Sequence, residues 1–302
     1  MTDEKWIIHP GETRVIDVEG IRRLKVGLVG GQIDIIGHDE PHARIEVHSV
    51  STKDLRIDVS GEELEIDHPQ LRWDNFLEVF RNFGSGGPRA EVSVAVPRAV
   101  ALTLGVVSAS ALIAGLADGA RLNTVSGDVL VDGLLGDLGA NAVSGDVQVR
   151  GLEGAFAANT VSGDVAVTGA LSKVDVDSVS GATFVDAEGP VARVSVNGVS
   201  GGVTLRLDDD YAADYVVRSA SGRVRVDGVR RSSSGPSNYT GSTGELSSRF
   251  ADVRVNTVSG DITVVRRGET EAPPAEADAE VEWPGVETRA ESAATPSEGE
   301  AR

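Results

Sequence analysis

Between residues 120 and 206 apolar and polar side chains alternate, and the alternation itself recurs. Val129 and Val131, Val147 and Val149, and Val165 and Val167 stand three and five residues after a serine. Leu138 and Ala140, Phe156 and Ala158, Val174 and Val176, and Val194 and Val196 stand six and four before the next one. A period of two puts such side chains on one side of a strand, so each repeat predicts two short strands nine residues apart. The reference serines Ser126, Ser144, Ser162 and Ser180 are eighteen residues apart. Ser200 and Ser221 follow at twenty and twenty-one, Ser108 extends the series backward, and Ser259 ends it.

Between the strands lie Asn123, Asn141, Asn159, Asp177, Asn197 and Asn256, three before the serine, and then Ser-Gly-Asp itself. Gly and Asn accept positive φ, while Asp and Ser hydrogen-bond nearby amides, so both groups read as turns. Two strands and two turns per repeat predict one coil of a flattened β-solenoid. Burying about six aliphatic side chains does not offset ordering one coil's backbone. The coils are therefore expected to be stable only when stacked.

The N-terminal part follows the template less regularly. "LKVGLVGGQIDIIG" keeps Leu24, Val26, Val29, Ile33 and Ile35 in the apolar columns, and residues 1–66 are expected to form irregular coils. "DNFLEVFRNF" breaks the alternation: Phe76, Leu77, Phe80 and Phe83 have helical spacing, predicting a short amphipathic helix over Trp73–Phe83. This helix would belong to an insertion, 67–90, that caps the open end of the stack. Regular coils are expected over 91–267, as one domain with 1–66, with a polar loop or hairpin at Arg230–Ser248 between the last two. From 268 to 302 Glu, Ala, Pro and Ser take over; the ten acidic and two basic residues after Gly268 predict a disordered acidic tail.

The repeated "VSGDV-x-V-x-G", behind strands such as "RIEVHS" and with "AVP" before the regular coils, resembles a known bacterial family. This is the β-strand-repeat family of adhesin-type, toastrack-like domains found in cell-envelope stress modules. The resemblance covers about residues 15–266. It implies an all-β, β-solenoid-like stack and brings no catalytic or cofactor-binding residues with it.

Composition narrows the functional classes. The 302 residues include no Cys, which removes disulfides and thiolate metal sites. A net charge of −19 disfavours nucleic acid and anionic membrane as partners. No apolar run approaches the roughly 20 residues of a membrane helix, and "MTDEKWIIHP" lacks the pattern of a signal peptide, so a cytoplasmic location is expected.

Asp128, Asp146 and Asp164 would stack about 4.8 Å apart, the inter-strand spacing. Such a column reads as a glycosidase's paired carboxyls, as a calcium ladder, or as a row of structural turns. Acid–base work needs carboxyls in unlike environments, whereas repetition supplies identical ones. Two charges at that distance repel by only about 0.9 kcal/mol in water, so no ion is required. The column is also interrupted by Ala182, Gly202 and Arg223. The structural reading is favoured; the metal reading remains the alternative for these three residues. A phosphate loop would lead into a helix, whereas each Gly here leads into a strand. His9, His38, His42, His48 and His68 all fall in the N-terminal part, and "HDEPH" has no zinc spacing. No cofactor is expected.

Function is then left to surfaces. The outward column four after the serine reads Leu130, Gln148, Ala166, Phe184 and Thr204, and the tail carries Trp283 in "EVEWPGVE". Leu130, Ala166, Phe184 and Trp283 are the candidate contact residues. The expectation is a non-enzymatic scaffold or protein-interaction module, in envelope-stress or regulatory signalling, with a protein partner or a second copy. A surface adhesin or carbohydrate binder is the alternative, and a carbohydrate-active enzyme the third.

Overall fold

A computed structural model describes residues 3–69, 87–230, 236–244 and 250–268. Every regular element among them is a strand, and all belong to one hydrogen-bonded network. No helix among them is long and apolar enough to cross a membrane. The helix expected at Trp73–Phe83 and the tail beyond Gly268 lie outside the described residues.

The eighteen-residue repeat is a coil. Val129 pairs in parallel with Val147, and Val147 with Val165; on the other side of the coil Leu138 pairs with Phe156, and Phe156 with Val174. The alternating valines, leucines and alanines of both sides are buried and form one continuous core. Insertions of two residues between Ser180 and Ser200 leave the register intact, since Val174 still faces Val194 and Val185 still faces Leu205. They are absorbed at the turn around Gly189 and Pro190, where no ladder bond has to be kept.

At the C-terminal end the order in space departs from the order in the chain. Ser259 ends the series in sequence, yet its coil does not end the stack. The strands Phe250–Ser259 and Ile262–Arg267 pair in parallel with Arg193–Ser200 and Val203–Asp208 on one side. On the other side they pair with Ala212–Ser219 and Val224–Val226. The chain thus passes one level ahead, caps the open parallel edge with the antiparallel strands Val229–Arg230 and Ser237–Thr243, and returns to fill the gap. Covering a free edge in this way removes a template for unwanted pairing.

The N-terminal end is closed by a related device. Arg23–His38 lies flush on Ala101–Ala114 and is a complete coil. Its other side carries Glu63–Asp67 and Arg89–Pro97 as a second parallel level. Beyond that level pairing turns antiparallel: Leu55–Ser60 and His42–Ser51 form the next layer, and Glu4–Ile8 and Arg14–Glu19 the last. The physical reason is connection length. The two residues between Ser60 and Glu63 allow a hairpin, whereas a parallel return needs a long crossover. Segment 1–66 thus contributes one complete coil and a set of antiparallel layers.

Candidate functional site

The coils at Ser126, Ser144, Ser162 and Ser259 turn from their first strand to their second through Val-Ser-Gly-Asp, and each position has a separate task. The serine hydroxyl reaches back one coil. Ser126 and Ser144 donate to the Val107 and Val125 carbonyls at 3.0 Å each, and Ser108 to Val29 at 2.9 Å. An inward hydroxyl two residues earlier closes the turn: Thr124 Oγ1 donates to the Gly127 carbonyl at 2.6 Å and accepts from the Gly127 amide at 3.0 Å.

The aspartates do stand in one column, and each takes an amide from the following coil. Asp128 Oδ1 accepts from Asp146 at 3.1 Å, Asp146 Oδ1 from Asp164 at 2.8 Å, and Asp164 Oδ1 from Ala182 at 2.7 Å. The same bond recurs further on, where Asp261 Oδ1 accepts from the Arg223 amide at 2.9 Å and Asp261 Oδ2 meets the Arg223 guanidinium at 2.7 Å. The carboxylates act as staples between coils. Among the described residues no group of three or more His, Asp or Glu is placed to hold a metal ion.

A substitution series tests this role. Asp146→Asn keeps the accepting Oδ1 and is expected to change stability by less than about 0.5 kcal/mol, whereas Asp146→Ala removes the bond and costs about 1 kcal/mol. Thermal melts with millimolar calcium or a chelator should coincide. A bound ion at a hundredfold excess over Kd would add about 2.7 kcal/mol, and its loss in an Asp128/Asp146/Asp164 triple Asn variant would restore the metal reading.

The outward side of the first strand carries a second ladder. Asn141 Nδ2 donates to Asn123 Oδ1, Asn159 Nδ2 to Asn141 Oδ1, and Asn256 Nδ2 to Asn197 Oδ1, each at 3.0 Å, while Asn197 Nδ2 donates to Asp177 Oδ1 at 2.9 Å. Two residues on, at the same parity and so also outward, stand the corner valines. Val29, Val107 and Val125 are buried in a small cluster of their own, and Val143 packs partly against it. Val161, Val179, Val199 and Val258 are about half exposed. Between the amide ladder and this stripe runs a shallow groove of about 550 Å³, lined among others by Ala142, Val161, Val179, Gly198 and Val199. Each of these valines precedes a serine of the repeat, and period two places it on the face of asparagine rather than of alanine.

The other candidates divide. Leu130, Ala166 and Phe184 do share one outward column with Gln148 and Thr204, each of the three half-buried. Trp283 lies outside the described residues. His38 and His42 face each other at 5.6 Å near the surface, where His38 Nδ1 accepts the Glu40 amide at 3.1 Å. His9 pairs with Asp54 at 3.0 Å, which raises its pKa, and His48 meets Ser93 Oγ at 2.9 Å.

His68 differs from these four. It is fully buried, its Nδ1 accepts the Val29 amide at 3.3 Å, and its Nε2 has no partner among the described residues. Burial holds its pKa down to about 4. The folded state therefore prefers the neutral ring. That preference is fully present above the unfolded value of about 6.5 and is lost as pH falls from there towards 4. Unfolding titrations should show about 2 kcal/mol lost between pH 7.5 and 5, above the range where most carboxylates titrate. His68→Asn, which keeps an acceptor for Val29, should flatten that loss; an unchanged slope would place its origin elsewhere.

Comparison with known proteins adds the family. No curated protein matches the chain in sequence. Among solved structures, a candidate cell adhesion protein from Clostridium sporogenes is 13% identical, over 88% of this chain and 99% of that one, with a TM-score of 0.29. A candidate adhesin from Bacteroides fragilis is 12% identical, over 85% and 100%, with a TM-score of 0.43. A candidate lipid-binding protein from Parabacteroides distasonis is 14% identical, over 85% and 99%, also at 0.43. The profile of one family spans residues 21–265, from the first complete coil to the returning last one, and the chain is a member of the Toastrack DUF4097 family.

Proposed function

We propose that the chain is a non-enzymatic scaffold that binds another protein through the face made by the asparagine ladder and the exposed corner valines. The observation that carries this reading is the row of Val161, Val179, Val199 and Val258, apolar and solvent-facing in successive levels of the stack. A contiguous apolar strip on a polar surface is the kind of feature that marks contact sites. The neighbouring amides already satisfy one another, so covering them breaks few bonds to water. The chain carries −19 overall, yet Asp177 is the single charge among the groove's lining residues. The matching partner surface is therefore apolar and near neutral rather than basic. The corner carboxylates support the non-enzymatic half of the proposal, because each is occupied by an amide in a repeated and equivalent setting.

Affinity capture with wild-type protein and with a Val161/Val179/Val199→Ser variant tests the proposal. These side chains are exposed, so the variant should fold, and a specific partner should be lost from it. Equal capture by both would reject this face; loss on Trp283→Ala alone would move the contact to the tail. A carbohydrate-binding role is the second reading. It is favoured by a cavity of about 390 Å³ between Pro190, Val191, Tyr211 and Phe250, which offers aromatic surface for a sugar ring. Glycan-array binding sensitive to Phe250→Ala would support it over the corner face.

A further inference from the structure

The asparagine ladder is interrupted at Asp177, in the middle of the corner groove. Each amide of the column passes an Nδ2 hydrogen to the Oδ1 of a neighbouring coil: Asn141 to Asn123, Asn159 to Asn141, Asn197 to Asp177 and Asn256 to Asn197. Asp177 follows Asn159 in register and, as a carboxylate, has no hydrogen to pass on. Among the described residues Asn159 Oδ1 therefore receives no donor, and neither does Asp177 Oδ2. The two acceptors stand one rung apart, about 4.8 Å, on the two central levels of the groove. The cations on the same outward side are engaged elsewhere, Lys173 by Asp175 and Arg254 by Asp252. An asparagine at 177 would have continued the ladder and still accepted from Asn197. The carboxylate thus gives the fold nothing that an amide does not, and a repeat broken without an internal gain points to what lies outside it.

We propose that the partner of this face carries one Lys or Arg, set among apolar residues, whose cationic head binds between Asn159 and Asp177. The inference rests on the corner face being the contact surface, and it adds the chemistry that selects the partner. Charge-assisted N–H donors bond at about 2.7–2.9 Å, so a single nitrogen reaches two oxygens about 4.8 Å apart. The apolar stem of such a side chain would lie over Val161 and Val179, half exposed and two residues beyond the acceptors on the same face. One cation against one carboxylate leaves the contact neutral overall. Its main effect is on specificity, since an acidic side chain in the same place would meet Asp177 as a like charge.

Stability separates the fold from the contact. Asp177→Asn should melt at the wild-type temperature or above it, because the new amide can donate to Asn159 Oδ1. A melting temperature lowered by several degrees would make the carboxylate a structural group and overturn the proposal. Binding is read with a displayed library of random peptides selected on the full chain, keeping those that fail to bind the Val161/Val179/Val199→Ser variant. The retained peptides should share one Lys or Arg among apolar residues. Replacing it by a neutral isostere should weaken binding about tenfold or more to the wild type, and less than about twofold to Asp177→Asn. Retained peptides without a cation, or equal losses on both proteins, would overturn this inference and leave the corner face standing. A selection in which no peptide depends on the valines would overturn both.

Discussion

Deleting Phe250–Gly268 is expected to abolish the cooperative melt of the whole stack. In a linear array the last coil of the chain has one neighbour, and its removal leaves the rest with one new edge. Here that coil sits between two others: Val253 faces Val194 on one side and Tyr215 on the other, and Ile262 faces Val203 and Val224. Its Ala251, Val253, Val255, Ile262 and Val264 are buried. The four larger ones alone contribute about 6–12 kcal/mol, comparable with the whole margin of about 5–15 kcal/mol of an ordinary domain. Polar ties are lost with them. Arg266 donates to the carbonyls of Asp209 and Tyr211 and to the hydroxyls of Tyr215 and Thr243, and Arg267 pairs with Asp186 and Asp208. Ala212–Ser219 and Val224–Val226 would lose their parallel partner altogether. Circular dichroism on heating checks this. A truncated protein that still melts in one sharp step within a few degrees of the intact chain would show that the level closes up without its middle coil.

That intercalation was out of reach of pattern reading, and the reason is general. Period and spacing reveal which residues share a column, because they act within one coil; Val174, Val194 and Val253 all carry the same local signature. Which coil lies next to which is decided by the edges each leaves open, and an edge has no residue of its own in the sequence. The antiparallel layers before residue 66 escaped for a related cause. "RIEVHS" and "EELEID" announce strands in either direction, and only the short turn at Gly61 sets the direction. The corner was more transparent. Its Ser-Gly-Asp was readable as a turn, and the role of the aspartate as an acceptor between coils refines that reading. The exposed valines stand one before their serines, and parity puts Val161 beside Asn159 on the outward side.

Gly181→Ala should be among the most damaging single substitutions in the molecule, and Gly133→Ala a mild one, although both replace a turn glycine. Gly133 has φ +67, and a Cβ there meets nothing within 4 Å. Only the left-handed backbone is penalised, by about 1 kcal/mol. Gly181 has φ +121, and its Cβ would stand 2.2 Å from the Gly163 carbonyl oxygen and 2.8 Å from its carbon. The obstacle is backbone, held by ladder bonds on both sides of the turn, so no side chain can swing aside to relieve it. The Gly163 turn itself rests on Gly145 in the same manner, at 2.4 Å, and Gly201 on Gly181 at 2.0 Å. Moving one coil outward would therefore break the contact of the next. Adding overpacking to the backbone penalty gives about 4 kcal/mol, near the upper end for point substitutions. Chemical denaturation of the two variants measures the difference directly. Equal and small shifts would mean that the corner can open by several tenths of an ångström per coil, and the close backbone contact would then not explain why glycine recurs behind every motif serine from Ser126 to Ser259.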